Sequence, residues 1–510
     1  MVRSVHERSQ SEPRAEIDEG QTMATSELAT QQLLIDGRWT DARGGRTYEQ
    51  AFPYTGETVG VAAAANREDA HAAADAAHEA FAAWSTSSPG SRREILLKAA
   101  ELLTERGEQI AQLVSEETGG VLGWGMFNVG LAAGMLREAA AQTYGLVGEV
   151  IPSDVPGKLA MGVRQPAGVV LAIAPWNAPV ILCTRALATP LAYGNTVVLK
   201  ASELCPHTHA AVVNAVVDAG LPPGVLNLIT NDPADAGDVV DELIAHPAVR
   251  RINFTGSTKV GRIIAESAGR HLTRALLELG GKAPMVVLRD ADLDRASAAA
   301  HFGAFFHQGQ ICMSTERIVA DRSIAADLAE RIAARARALT VGDPRRPETQ
   351  IGPLVNAAAV ERVSGLVADA LDKGATALCG AEADGPCYAP TVLTGVTAEM
   401  RLYAEESFGP VVTVIEVDGP DEAVAVANDT EYGLSAAVFS QDVSAALELA
   451  QRIESGICHI NDTTVQDEPQ MPFGGVKASG WGRFGGRQGL EEFTELRWIT
   501  VQDLPREYPI

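Results

Sequence analysis

The stretch from Gly168 to about Thr255 constrains the fold most. Four short apolar runs rich in β-branched residues recur there: GVVLAIAP (168–175), NTVVLKAS (195–202), GVLNLIT (224–230) and RINFTGS (251–257). Helical sequence separates them, and Pro206 suits the first turn of one such helix. A strand that is apolar along its whole length is buried on both faces, and strands joined by helices pair in parallel. These residues predict an α/β, Rossmann-like unit. Ligands in open parallel sheets bind beyond the C-terminal strand ends. The loops that follow the four runs are therefore the first place to look for chemistry.

Around this unit the pattern extends in both directions. LLIDGRW (33–39) reads as a strand and turn. Residues 67–84 and 91–117 are rich in Ala, Glu and Leu at helical period, and helical segments continue to about 145. A second alternating region runs from about 283 to 456. Strands are expected at 283–288 and 411–417, and helices at 322–339 and 356–373. The stretch 457–505 is rich in glycine and ends in the strand-like RWITVQ (497–502). Residues 1–28 are polar, without the apolar core of a secretion signal, and are expected to be a disordered tail. A chain of 510 residues accommodates about three folded units.

Charge and cysteine content narrow the partners. Lys and Arg number 41 against 66 Asp and Glu, a net charge of −25. Nucleic acid and anionic membrane both favour a basic face, so neither is an expected partner. No apolar run reaches the roughly 18–20 residues needed to span a bilayer. The six cysteines (Cys183, Cys205, Cys312, Cys379, Cys387, Cys458) are too sparse for a disulfide framework. None forms CxxC or sits beside paired histidines, so no metal site is expected. These features together predict a reduced, cytoplasmic protein.

Several segments carry residues suited to catalysis or anion binding, each with an ordinary alternative. GSTKVG (256–261) follows a strand and opens a helix, where bare N–H groups favour a pyrophosphate. It is equally an ordinary tight turn, and it is not the GxGxxG fingerprint. Lys200 and Glu203 follow a strand end. Glu203 can accept hydrogen bonds from two ribose hydroxyls and would repel a 2′-phosphate, or the two residues are a solvated charge pair. In APWNAP (174–179), Asn177 offers a neutral donor for an oxyanion, or is a turn residue. In LELGGKAP (277–284), Glu278 is a candidate general base if burial raises its pKa, or a helix-end carboxylate. In FFHQGQICMSTER (305–317), Cys312 is a candidate nucleophile, or an inert small hydrophobe. EESFGPV (405–411) and MPFGGVKASGWGR (471–483) read as loops.

Singly these motifs are weak; their joint order is specific. PWN, KxSE, FTGS, ELGG, GQxC, EExFGP and PFGG succeed one another, and from about residue 30 to the end the chain resembles the NAD(P)-dependent aldehyde dehydrogenase superfamily. FPYTGE (52–57) is similar to that family's early NPATGE turn. The resemblance implies an α/β aldehyde dehydrogenase fold: a Rossmann-like NAD-binding domain (29–155 and 173–281), an α/β catalytic domain (282–456), and a β-strand oligomerisation arm with a C-terminal segment (156–172 and 457–510). It implies Cys312 as nucleophile, Glu278 as general base and Asn177 as oxyanion donor. Lys200 and Glu203 match the adenosine-ribose clamp, Gly256 and Ser257 the pyrophosphate loop, and Glu406 and Phe408 the nicotinamide-ribose contacts. Ala174, Pro175, Trp176, Ser202 and Gly280 accompany them as cofactor contacts. The implied reaction passes through a thiohemiacetal and a thioester to a carboxylic acid, with NAD as cofactor and a homodimer or homotetramer as the assembly.

Within the family, GQICMSTER, WNAPVILCTR and DEPQMPFGG look like the salicylaldehyde, vanillin and benzaldehyde dehydrogenases. Trp124, Phe127, Met313 and Phe473 are then expected to wall a flat apolar slot, although ordinary core packing accounts equally for Trp124 and Phe127. Arg185 fits two readings: facing a ring oxygen in an aromatic aldehyde, or reading the carboxylate of succinate semialdehyde. A buried Arg needs a polar or anionic partner in either case. STER (314–317) replaces the CANR usual in the semialdehyde branch, which favours the aromatic reading. His307 departs from the Asn usual before QGQ.

Overall fold

The computed structural model describes residues 29–510; the tail expected at 1–28 lies outside the described residues. Its largest sheet has eight strands. Five are parallel and adjacent, in the order Arg274–Glu278, Val249–Thr255, Val169–Ile173, Thr196–Lys200, Leu226–Ile229. Four of these are the apolar runs read from the sequence. The edges differ from an all-parallel expectation. Gly480–Trp481 pairs antiparallel with one side, and the hairpin Leu33–Ile35/Arg38–Thr40 caps the other. Asp36 and Gly37 turn that hairpin at φ 51° and 71°.

The period of two along these strands sorts their side chains onto two cores. Val170 and Ala172 join one core with helices Pro89–Glu105, Leu122–Gln142, Pro179–Ala192 and Pro206–Asp218. Val169, Leu171 and Ile173 join the other with helices Arg67–Ser85, Ala236–Ala245 and Thr258–Arg270. Full burial of both faces is why the strands read as unbroken apolar runs. The helical stretch expected at 91–117 is two helices, Pro89–Glu105 and Gly107–Thr118, that meet at Arg106.

A second sheet has seven strands, in the order Thr376–Cys379, Thr391–Thr394, Val411–Val417, Thr315–Asp321, Ala283–Val287, Ser435–Phe439, Ile457–Ile460. A smaller three-stranded sheet joins Thr494–Gln502, Lys158–Pro166 and Glu149–Ile151. Thr494–Gln502 and Lys158–Pro166 pair over nine residues, from Thr494 opposite Pro166 to Gln502 opposite Lys158.

Sheet membership corrects the expected boundaries. Val169–Ile173 is central in the large sheet, so the strand that begins at Lys158 ends at Pro166 and the segment expected to run to 172 is split between two sheets. Ile457–Ile460 completes the seven-stranded sheet, past the expected end at 456. Glu149–Ile151, expected within 29–155, pairs with Lys158–Pro166 in the three-stranded sheet. Among the described residues, no helix is long and apolar enough to cross a membrane.

Candidate active site

The parallel strands bring four predicted segments to one edge. In register, Ile173 lies beside both Lys200 and Phe254, and Thr255 lies beside Glu278. Ala174–Asn177, Lys200–Glu203, Gly256–Ser257 and Glu278–Gly280 therefore leave the sheet side by side at its C-terminal edge. Glu278 ends a strand, which excludes the helix-end alternative.

Lys200 and Glu203 form an ion pair, and Asn231 Nδ2 donates to Glu203 Oε1 at 3.1 Å. Burial pushes the Glu203 carboxyl up, but the Lys200 charge and these hydrogen bonds outweigh it and hold the group below its ordinary range. Ser202 Oγ accepts from the Leu204 N–H at 3.3 Å. Ser257 caps helix Thr258–Arg270 by accepting from Val260 N–H, and Gly256 N–H donates to the Glu278 carbonyl at 3.0 Å. This edge offers an anionic acceptor beside a strand end and a helix N-terminus without a side chain at Gly256. That donor set fits a dinucleotide, with Glu203 toward sugar hydroxyls and the helix start toward phosphate.

Glu406 and Phe408 approach from the second sheet. Gly281 N–H donates to Glu406 Oε1 at 2.8 Å, and a Cβ on Gly280 would meet Glu406 Oε2 at 2.8 Å. Gly280 thus permits the carboxylate to reach the sheet edge. Burial, followed by the nearby Glu316 charge, pushes the Glu406 pKa up to about 7. Phe408 holds φ 46° and meets Trp176 edge-to-face at 5.8 Å.

Cys312 lies in the turn before strand Thr315–Asp321 and lines a cavity of about 470 Å³. Asn177, Arg185, Trp124, Phe127, Met313 and Phe473 line the same cavity. All five predicted substrate-pocket residues are therefore brought to the predicted nucleophile. Asn177 is held from two sides: its Nδ2 donates to the Gln310 carbonyl at 2.9 Å, and the Trp124 indole donates to its backbone carbonyl at 3.1 Å. One of its two amide hydrogens remains for a substrate oxygen.

Glu278 is 1% exposed, and neither carboxylate oxygen has a hydrogen-bond partner. Burial pushes its pKa up to about 8, with Arg185 opposing and Asp467 adding to the shift. Burial also pushes the Cys312 thiol up, and the Glu278 charge adds to this. Both groups therefore favour their neutral forms, and a thiolate at rest is disfavoured. A thiolate beside an ionised Glu278 would bring two buried charges of one sign together, so the two groups ionise at each other's expense.

The departure at His307 becomes intelligible here. Its ring is 1% exposed and stacks on Trp124 at 4.5 Å, while Phe127 stacks on Trp124 at 5.6 Å. Burial pushes the His307 pKa down to about 3, so the ring is neutral and supports Trp124, which lines the cavity. Gln308 Nε2 donates to the Gly119 and Pro353 carbonyls, 3.1 Å each, and fixes the loop before Cys312.

The sequence reading missed two contacts. Arg185 pairs with Asp467, and its guanidinium lies 4.1 Å from the Phe473 ring centroid. Asp467 stood in the quoted DEPQMPFGG segment, yet nothing local marks it as a partner of Arg185. Lys282 pairs with Glu316 at 2.5 Å, and Glu316 accepts the backbone N–H groups of Ser407 and Phe408 at 2.8 and 3.2 Å. This buried pair ties the 406–408 loop to the strands beside Cys312 and Glu278.

The chain is similar to known proteins over most of its length. The model of the aldehyde dehydrogenase family matches residues 39–499. A vanillin dehydrogenase of Pseudomonas fluorescens is 58% identical over 478 residues, covering 94% of this chain and 99% of that protein. A benzaldehyde dehydrogenase [NAD(+)] of Pseudomonas putida is 40% identical, covering 93% and 97%. The crystal structure of a salicylaldehyde dehydrogenase from Pseudomonas putida G7, complexed with salicylaldehyde, superposes with a TM-score of 0.93 at 45% identity, covering 94% and 100%.

Proposed function

We propose, from the premise that this chain belongs to the aldehyde dehydrogenase family, that it oxidises aromatic aldehydes to carboxylic acids and prefers NAD to NADP. One observation carries the aromatic reading: Arg185 spends its charge on Asp467 in a cavity walled by Trp124, Phe127, Met313 and Phe473. A semialdehyde enzyme needs a cation free to meet a distal carboxylate, and Asp467 would repel that carboxylate. The names of the vanillin and benzaldehyde dehydrogenase relatives support the same substrate class.

The chemistry assigns one role to each group. Cys312 gives its thiol proton to solvent as its sulfur attacks the aldehyde carbon. Asn177 Nδ2 and the Cys312 backbone N–H stabilise the oxyanion of the thiohemiacetal; one such donor lowers a barrier by about 2.7–4 kcal/mol. When bound, the nicotinamide supplies a hydride acceptor. Lys200, Glu203, Gly256 and Ser257 would hold the adenosine end and pyrophosphate of NAD, and Glu406 and Phe408 would hold its nicotinamide ribose. Ala174, Pro175, Trp176, Ser202 and Gly280 complete the cofactor walls. The resulting thioester on Cys312 is cleaved by a water that Glu278 deprotonates. Glu203 disfavours a 2′-phosphate, and the relative named as an NAD(+) enzyme supports that preference.

Homo-oligomerisation through strands Lys158–Pro166 and Thr494–Gln502 completes the reading, because the sheet they form leaves an unpaired strand edge. The deciding experiment follows NADH formation with vanillin, salicylaldehyde, benzaldehyde, succinate semialdehyde and a long alkanal. Higher kcat/KM for the aromatic members is expected. Preference for succinate semialdehyde rejects the substrate class and leaves the family intact.

A further inference from the structure

The cavity contains a buried ion pair that the oxidation itself does not use, and one of its oxygens is unsatisfied. Asp467 Oδ2 accepts from Arg185 Nη2, whereas Asp467 Oδ1 is buried and accepts no hydrogen bond within the protein. A buried acceptor without a donor is costly, more so when ionised. Both Asp467 and Arg185 line the cavity with Cys312. Asp467, a residue of the cavity lining, therefore carries a buried, unpaired anionic oxygen beside a site otherwise rich in aromatic side chains.

Position along the cavity says which donor would reach it. Ala178, Ile181, Leu182 and Arg185 all line the cavity, so one stripe of helix Pro179–Ala192 forms its wall. Ala178 to Arg185 spans about 10 Å at 1.5 Å per residue. Asn177 marks the carbonyl end, and side chains on a helix lean toward its N-terminus, which brings Arg185 back toward the ring. That span matches a benzaldehyde carrying a substituent far from the aldehyde. An ortho substituent would lie beside the carbonyl.

We infer that Asp467 accepts a hydrogen bond from a hydroxyl para to the aldehyde, and that Arg185 positions the carboxylate for it. This rests on the aromatic reading and adds the ring hydroxyl as the recognised group. A methyl ether at the same position has no donor and sets its oxygen against the carboxylate. A site built to bond a hydroxyl discriminates strongly against an analogue that cannot donate.

The test compares kcat/KM for 4-hydroxy- against 4-methoxybenzaldehyde, and for 2-hydroxy- against 2-methoxybenzaldehyde, in the wild type and in Asp467→Asn. Each result is a ratio within a pair, so a general loss of activity cancels. The wild type is expected to prefer the 4-hydroxy member, and Asp467→Asn to shrink that preference by about tenfold or more. The ratio for the 2-substituted pair should hold. An unmoved 4-substituted ratio, or a loss confined to the 2-substituted pair, overturns the inference. If Asp467→Asn shows no cooperative melt, the wild type decides: 4-hydroxybenzamide, an unreactive analogue, should bind about tenfold tighter than 4-methoxybenzamide, and equal binding overturns the inference. Failure of the aromatic reading has its own signature, poor wild-type turnover of every benzaldehyde beside succinate semialdehyde, and that result overturns both.

Discussion

At the residue scale, Glu278 is a carboxyl whose burial fits it for proton transfer near neutral pH. Its pKa is raised from 4.5 to about 8, so the fraction able to accept a proton rises as pH climbs through that value. If Glu278 activates the hydrolytic water, steady-state turnover should rise along a limb centred near pH 8. Glu278→Gln should release a burst of NADH, stall at the thioester and lose that limb; normal steady-state turnover would assign the water to another base. Stability runs the opposite way. The folded state retains the Glu278 proton where the unfolded chain has lost it, so this contribution is full below about pH 4.5 and is lost as pH rises through about 8. Thermal melts of the wild type and Glu278→Gln across that range should differ in slope. Glu203 answers a separate question. Glu203→Gln should raise the NADP-to-NAD ratio of kcat/KM, because the group that repels a 2′-phosphate is gone; an unchanged ratio would remove it from the ribose clamp.

At the scale of elements, STER is a frame for the site. Ser314 Oγ donates to the Gly309 carbonyl at 3.0 Å, and Thr315 Oγ1 meets Thr464 Oγ1 at 2.7 Å. Glu316 holds Lys282 and the 407–408 backbone, and Arg317 donates to carbonyls of Val426, Ala427 and Asp429 at the end of helix Pro420–Asn428. None of the four lines the cavity, so the motif that separates the branches in sequence acts through architecture. Glu316→Ala leaves a buried ammonium unpaired, which costs about 3–5 kcal/mol. It should lower Tm and raise KM for the cofactor, since the 406–408 loop loses its anchor; a Tm within a degree of the wild type would refute the anchoring. Cys312, Glu278 and Asn177 stood out as candidates because the order of their short motifs resembles the aldehyde dehydrogenase family. Lys282 stood in view in ELGGK, but its partner lies 34 residues away on another strand, and no local pattern links them.

At the scale of the whole molecule, the sheet around Lys158–Pro166 leaves apolar side chains in water. Val150, Leu496 and Trp498 are 73%, 62% and 75% exposed. Exposed apolar groups along an open strand edge favour pairing with another chain. Trp498→Lys should shift the protein toward monomer in light scattering, and an unchanged mass would place the interface elsewhere. The sequence alone determined the parallel strands, because burial on both faces demands apolar residues at consecutive positions. It also marked the candidate residues at the strand ends, through a joint order of short motifs that resembles the aldehyde dehydrogenase family. Only the tertiary structure decided that Arg185 is neutralised by Asp467, that His307 is a neutral ring stacked on Trp124, and that Val169–Ile173 is central to the large sheet. The reason is physical: Arg185 and Asp467 lie 282 positions apart, and a contact closed by folding leaves no periodic trace along the chain.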